Sequence, residues 1–233
     1  MNKFAYQGPG LFPAPRLYHP ADFGGTFPCG PGVCGLDEAG RGPLAGPVYA
    51  AAVMLPADFP LEILNDSKAL SAKKREAAAP VIMEKALAWA IDYSGFVEID
   101  SMNILEASLL AMRRAYARLL GLLAAGRSSG EGSGRGQVSP EPRAIYVDGN
   151  RDPRFETSAE VDLVIKGDAC IPAIMAASIL AKVARDRMME RYDWLYPEYG
   201  YAKHKGYPTA AHRAVCVKLG PSPIQRMSFS FKK

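Results

Sequence analysis

The chain has 233 residues, 48% hydrophobic and 22% charged, an ordinary globular balance that allows one large domain with a sizeable core or a domain plus an appendage. Its formal net charge of +4 suits a polyanionic partner without requiring one. Four cysteines, Cys29, Cys34, Cys170 and Cys216, form no CxxC pair, which argues against a structural zinc site, and their low density argues against a disulfide framework, so they read as buried free thiols. No apolar run reaches the ~20 residues of a membrane span, and no charged and then apolar leader opens the chain, so no membrane contact and a cytoplasmic location are expected.

Residues 1–32 are rich in Pro and Gly and read as a flexible extension. Val33 to Asp37 is a first short strand and Val48 to Leu55 a second, joined by the Gly40–Pro47 turn as a hairpin. Ser71 caps a helix through Lys73, Arg75 and Glu84, which Pro80 should kink or split. Leu87 to Val97 reads as a third strand, after which Asp100 or Ser101 caps a helix. On that helix Met102, Leu105, Leu109, Met112, Tyr116 and Leu119 recur at three- and four-residue steps and form one buried stripe. Gly126 to Pro142 is Gly-, Ser- and Arg-rich and reads as a disordered surface insertion. Ala144 to Val147 and Val161 to Ile165 are short strands. Pro172 opens a long helix to about Leu195, and Thr209 to Leu219 is a last, shorter one. Strands followed by mixed strands and helices indicate an α/β domain around a mixed sheet.

Acids stand at the ends of these strands: Asp37 and Glu38, then Asp148, then Asp168. Singly, each could be a turn residue or a helix cap. As a set they offer hard oxygen donors, which suit Mg²⁺ or Mn²⁺, and two such ions about 4 Å apart can drive phosphodiester hydrolysis. Directly after the first pair, Gly40-Arg41-Gly42 offers backbone amides and a guanidinium to a phosphate or sugar. The Asn65-Asp66-Ser67-Lys68 loop offers phosphate donors. Ser178, Lys182 and Asp186 fall at i, i+4 and i+8 on one helix face, so that Lys182 could grip a phosphate and Asp186 orient it or a water; a plain Lys182–Asp186 salt bridge is the alternative. Tyr207, in Lys203-His204-Lys205-Gly206-Tyr207-Pro208-Thr209, could stack on a sugar or base or simply pack. His204 and His212 are too isolated to be read as metal ligands.

The run Gly35-Leu36-Asp37-Glu38-Ala39-Gly40-Arg41-Gly42-Pro43-Leu44-Ala45-Gly46-Pro47-Val48 resembles the signature of ribonuclease HII, the type 2 ribonuclease H family. The likeness continues through Asn65–Lys68, Val147–Asn150, Lys166–Asp168, Ala176–Asp186 and His204–Thr209, six ordered blocks over roughly residues 33 to 213. The resemblance implies a ribonuclease H-like fold, a mixed five-stranded sheet flanked by helices with a C-terminal helical portion, over residues 33–220, leaving 221–233 as a tail. It implies endonucleolytic cleavage of RNA paired to DNA, and cutting 5′ of single ribonucleotides in duplex DNA, with 3′-hydroxyl and 5′-phosphate products and a place in ribonucleotide removal. The implied metal ligands and catalytic groups are Asp37, Glu38, Asp148 and Asp168, holding two Mn²⁺ or Mg²⁺ ions. Gly40-Arg41-Gly42 would read the ribose 2′-hydroxyl, and Tyr207 would stack beneath the adjacent deoxyribose. Lys68, Ser178 and Lys182 join the substrate-binding set, with Asp186 in support.

Three features depart from the family pattern: the Pro-rich N-terminus, the 126–142 insertion, and an ending, Arg226-Met227-Ser228-Phe229-Ser230-Phe231, that matches the usual basic-Ser-Phe tail only in part. Gln225 to Phe231 also loosely resembles a sliding-clamp peptide, though its spacing is off. A monomer is expected. The competing readings are another nuclease of the same fold, such as a junction resolvase, and an inactive binder of RNA–DNA hybrids, against which the four intact acids argue.

Overall fold

Two apolar runs separated by a glycine-rich turn fold back on each other to begin a mixed sheet. The computed structural model describes residues 14–64, 70–126 and 141–230. Its strands are β1 (Arg16–Tyr18), β2 (Val33–Ala39), β3 (Val48–Met54), β4 (Ala88–Ser94), β5 (Ala144–Asp148) and β6 (Glu160–Val164). Its helices are α1 (Ala72–Lys85), α2 (Phe96–Met102), α3 (Ile104–Ala124), α4 (Pro172–Leu195), α5 (Tyr201–His204) and α6 (Ala210–Leu219). The sheet order is β1-β6-β5-β2-β3-β4. β2, β3 and β4 form an antiparallel meander, while β5 pairs in parallel with both β2 and β6.

Strand β3 is buried along its whole length because helices cover both faces of the sheet. Its period of two sends Ala50, Ala52 and Met54 to one core, where Leu109, Met112, Tyr116 and Leu119 of α3 meet them. Ala51 and Val53, with Leu55 just beyond the strand, meet Ala176, Ala177, Ile179 and Leu180 of α4 and Ile82 of α1 in the other. The α3 stripe is the one its spacing predicts; Met102 and Leu105 sit partly buried at its start. Gly35 brings β2 and α4 into backbone contact, since a Cβ there would lie 2.2 Å from the carbonyl carbon of Ala173.

Several expectations are corrected. The sheet has six strands rather than five. The sixth comes from the stretch read as a flexible extension: Arg16, Leu17 and Tyr18 pair with Asp162, Leu163 and Val164. Two features pin it. Arg16 forms a forked contact with Asp162 at 3.0 and 3.1 Å, and Tyr18 leads into an aromatic cluster with Phe23, Phe27 and Tyr146. Helix α1 runs unbroken through Pro80, which stands on its exposed face, where solvent can take the carbonyl that loses its amide. The third strand stops at Ser94, because the Gly95 N–H bonds the Glu98 carboxylate at 2.9 Å and starts α2. Asp100 and Ser101 therefore lie inside α2, and α3 is capped instead by Asn103, whose Oδ1 accepts from the amides of Leu105 and Glu106. All four cysteines are free, but only Cys34 and Cys216 are buried. Nearly all of the 126–142 insertion lies outside the described residues. Among the described residues, no helix is long and apolar enough to cross a membrane.

Replacing Gly35 with Ala should force β2 off α4. Overpacking of this kind costs about 3 kcal/mol, so urea unfolding should show a lower midpoint at unchanged slope. A midpoint equal to the parent's would mean that the close approach carries no constraint.

Candidate active site

The acids converge because of strand register. Leu36 of β2 lies beside Val147 of β5, and Asp148 of β5 lies beside Val164 of β6, so the three strands emit their carboxyl ends side by side. Asp37 and Glu38 stand near the end of β2 and Asp148 closes β5. After β6, Lys166 takes a left-handed φ of 57° and turns the chain into a short 3-10 helix, Gly167–Ala169, that carries Asp168 back. The Asp168 amide then donates to Asp148 Oδ1 at 3.2 Å. The Asp37 carboxylate accepts from the Glu38 amide at 2.7 Å and from the Ser178 hydroxyl of α4.

These groups line one cleft of about 380 Å³, together with Gly40, Lys182, Tyr207 and Arg75. Asp37 and Asp168 are almost wholly buried, at 4% and 2% exposure. Burial, and then the charges of Glu38 and Asp148, push the Asp37 carboxyl well above the ordinary carboxylate range. Among the described residues no three His, Cys, Asp or Glu side chains are already closed around one point as metal ligands. The chemistry of the donor set nevertheless fits a hard divalent cation: four carboxylates on one cleft, no sulfur or imidazole among them, and a surplus of negative charge.

The Gly40–Gly42 turn borders the acids. Gly40 has a φ of 108°, and a Cβ there would lie 2.2 Å from Arg185 Nε, so only glycine fits. The Arg41 guanidinium reaches back to Glu38 at 3.4 Å. Tyr207 is partly exposed and its ring faces the turn, since a Cβ on Gly42 would come 3.7 Å from it. Lys182 and Asp186 form the ion pair their spacing allows, at 2.7 Å. Lys182 also lines the cleft and stands 5.6 Å from the Tyr207 ring centre, whereas Asp186 is not part of that lining. Lys68 and its loop lie outside the described residues.

Sequence reading passed over Arg75 and Arg185. Arg75 lies one helical turn after the Ser71 cap and lines the cleft, with its guanidinium on the Leu70 carbonyl. Arg185 is fully buried in α4 and bonds the carbonyls of Pro47, Ala45 and Lys205. Its position three residues after Lys182 was the available signal. His204 and His212 stack on each other with ring centres 4.3 Å apart. Their bonds go to backbone: His204 Nδ1 accepts from the Gly206 amide, His204 Nε2 donates to the Tyr199 carbonyl, and His212 Nδ1 donates to the Tyr207 carbonyl. The pair therefore shapes the segment that carries Tyr207.

The family model described as Ribonuclease HII matches residues 34–125 and 133–232. The chain is 51% identical over 197 residues to a Ribonuclease HII of Laribacter hongkongensis, covering 84% of this chain and 90% of that protein. The chain belongs to the ribonuclease HII family. A second family member, from Treponema denticola, is 49% identical over 201 residues, 86% of this chain and 98% of its own. The crystal structure of the ribonuclease H2 from Pyrococcus horikoshii superposes with a TM-score of 0.64 at 26% identity, over 85% of this chain and 94% of that one. The PCNA:RNase HII complex from Archaeoglobus fulgidus shares the fold, with a TM-score of 0.65 at 24% identity over 86% and 96%. Membership of the ribonuclease HII family makes the chain a divalent-metal-dependent endonuclease acting on the RNA of RNA–DNA hybrids.

Burial holds both His204 and His212 below the ordinary histidine value. A folded-state pKa below the unfolded one adds stability that is complete above the unfolded value, about 6.5, and is lost as pH falls through it. The urea midpoint should drop between about pH 7.5 and 5.5, and the drop should shrink in a His204→Gln/His212→Gln double variant. An equal drop in both proteins would place the titrating groups elsewhere.

Proposed function

We propose that this ribonuclease HII family member cuts the RNA strand of hybrids and also cuts 5′ of single ribonucleotides embedded in duplex DNA, leaving 3′-hydroxyl and 5′-phosphate ends. The observation that carries the reading is the contact of three parts in one cleft: the four acids, the Gly40–Gly42 turn that follows the first two, and the Tyr207 ring against that turn. Asp37, Glu38, Asp148 and Asp168 would hold two Mg²⁺ or Mn²⁺ ions. Such ions, when bound, supply activation of the attacking water and stabilisation of the leaving 3′ oxygen.

The chain's own residues do the rest. Ser178 fixes one Asp37 oxygen from α4. Lys182, steadied by Asp186, offers its ammonium to a backbone phosphate in the cleft that the acids line, and Lys68, which lies outside the described residues, is proposed from sequence as a second phosphate donor. The backbone of Gly40-Arg41-Gly42 meets the ribose 2′-hydroxyl, the one group that separates RNA from DNA at a given nucleotide. The Tyr207 ring lies against the next sugar and leaves no room for a second hydroxyl, which favours an RNA–DNA junction over continuous RNA. Base sequence is not read, so affinity rests on phosphates and falls with salt. The cellular role is removal of ribonucleotides during replication and repair, by a cytoplasmic monomer whose catalytic domain takes in β1 and the buried Ile224–Arg226 segment as well as residues 33–220. A sliding-clamp contact through the tail is confined to residues from Met227 onward, because Gln225 and Arg226 are buried.

Asp37→Asn should abolish cleavage of both substrates, as chelator should in the parent, while hybrid binding stays within about threefold because phosphate contacts persist. Full activity in that variant would remove Asp37 from the metal set. Tyr207→Ala should lower cleavage at a single embedded ribonucleotide by about tenfold, the worth of roughly 1.4 kcal/mol of lost stacking, with the melting temperature nearly unchanged. Equal rates on a one-ribonucleotide duplex would remove the stacking role. A parent protein that cuts hybrids and ignores that duplex would restrict the function to hybrids.

A further inference from the structure

The C-terminal tail ends in a device that the ribonuclease reaction as described does not use. Arg226 is fully buried, at 0% exposure, and it has no carboxylate on its guanidinium. Its five N–H groups go to five backbone carbonyls of a single loop. Nε donates to Gly46 at 2.8 Å, Nη1 to Arg41 and Pro43 at 3.0 and 2.8 Å, and Nη2 to Gly40 and Pro47 at 2.6 and 3.2 Å. A guanidinium has five donors, so every one is spent on the turn that borders the acids. The backbone adds a short antiparallel bridge between Ala45 and Gln225, with the Arg226 amide on the Leu44 carbonyl and the Gly46 amide on the Ile224 carbonyl.

The consequence is directional. In a trans peptide the carbonyl of one residue and the amide of the next point opposite ways, and the described chain has no cis peptide bond. With the Gly40 and Arg41 carbonyls drawn onto Arg226, the amides of Arg41 and Gly42 are aimed away from it, on the exposed side of the turn where the Tyr207 ring stands. We propose that Arg226 is a positioning residue for ribose recognition, which aims the Arg41 and Gly42 amides at the 2′-hydroxyl by holding the carbonyls that precede them. The inference rests on the reading of Gly40–Gly42 as the ribose sensor. Lysine cannot replace the fork: it has three donors on one nitrogen and cannot span five carbonyls. Burial lowers the Arg226 pKa to about 9, which still leaves it charged at neutral pH.

The far end of the tail supplies the control. Asp100 accepts from the Met227 and Ser228 amides and the Ser228 hydroxyl, and its charge acts on Arg226 without a hydrogen bond to the guanidinium or the turn. Loosening the tail there removes none of the five guanidinium bonds. The test uses the full chain with Asp37→Asn, so that nothing is cut, and compares binding to a DNA duplex carrying one ribonucleotide with binding to the same duplex in all-DNA form. The parent ratio should be well above one. Adding Arg226→Lys should lower that ratio about tenfold, the loss of roughly 1.4 kcal/mol from misaimed amides, with all-DNA affinity unchanged. Adding Asp100→Ala should lower the melting temperature to a similar extent and leave the ratio intact.

An intact ratio in Arg226→Lys overturns the inference, and so does an equal loss of ratio in both variants, which would mark a merely structural tail. A parent ratio near one would overturn the sensor reading and this inference with it. Should Arg226→Lys fail to fold, hydrogen exchange decides in the Asp37→Asn protein. The Arg41 and Gly42 amides should gain protection with the ribonucleotide duplex and not with the all-DNA duplex. No such difference overturns the proposal.

Discussion

Carboxylates gathered at the ends of β2, β5 and β6 repel one another, and the parallel pairing of those strands holds them against that repulsion. Two unit charges about 5 Å apart at an effective dielectric constant near 20 repel by roughly 3 kcal/mol. Arg41 offsets part of this repulsion at Glu38, while Lys182 is bonded to Asp186 beside the cleft. Burial, and after it the charges of Glu38 and Asp148, pull the Asp37 carboxyl upward. A fold that accepts this strain through a buried ladder and a helix in backbone contact at Gly35 is arranged for divalent cations rather than for its own stability.

The same rigidity ties the acids to the turn beside them. Glu38 and Gly42 are four residues apart on one continuous stretch, so the spacing between the acids and the turn is fixed by the backbone. On the opposite side, the Leu44 amide bonds the Gly206 carbonyl and Arg185 ties Pro47 and Ala45 to Lys205. Tyr207 is therefore held at a set distance from the turn. Such preorganisation is worth more than any single contact, because geometry fixed before binding costs nothing at the moment of reaction.

Much of this was legible in the sequence, and the boundary is physical. The long helix from Pro172 to Leu195, the α3 stripe and the hairpin followed from period and capping residues. So did the acids at strand ends, because a carboxylate after an apolar run is a local signal. The Asn103 cap was hidden because Asp100 and Ser101 are equally good caps, and only the Gly95–Glu98 contact decides that they sit inside α2. The sixth strand was hidden because Arg16–Tyr18 has no periodicity of its own and takes its order from Asp162 and an aromatic cluster far along the chain. Arg185 and Arg226 were hidden for a similar reason. A buried arginine is ordinarily explained by an acid partner, and these two bond backbone carbonyls instead, which leave no mark in sequence.

That choice of partner matters. A buried guanidinium paired with a carboxylate spends its donors on that acid, while one surrounded by carbonyls spends them on the backbone and orders the peptides around it. Placed behind a glycine-rich turn, it turns carbonyls inward, and the amides that remain outward are available to a ligand oxygen. The bond from Arg226 to Gly40 closes a loop of 186 residues, and β2 alone cannot hold the turn in this shape. The acids can be brought together once β5 and β6 have joined the sheet, but the turn gains its final form only with the last few residues of the described chain. The acid cluster and the glycine-rich turn thus rest on different long-range contacts, although they are neighbours in sequence.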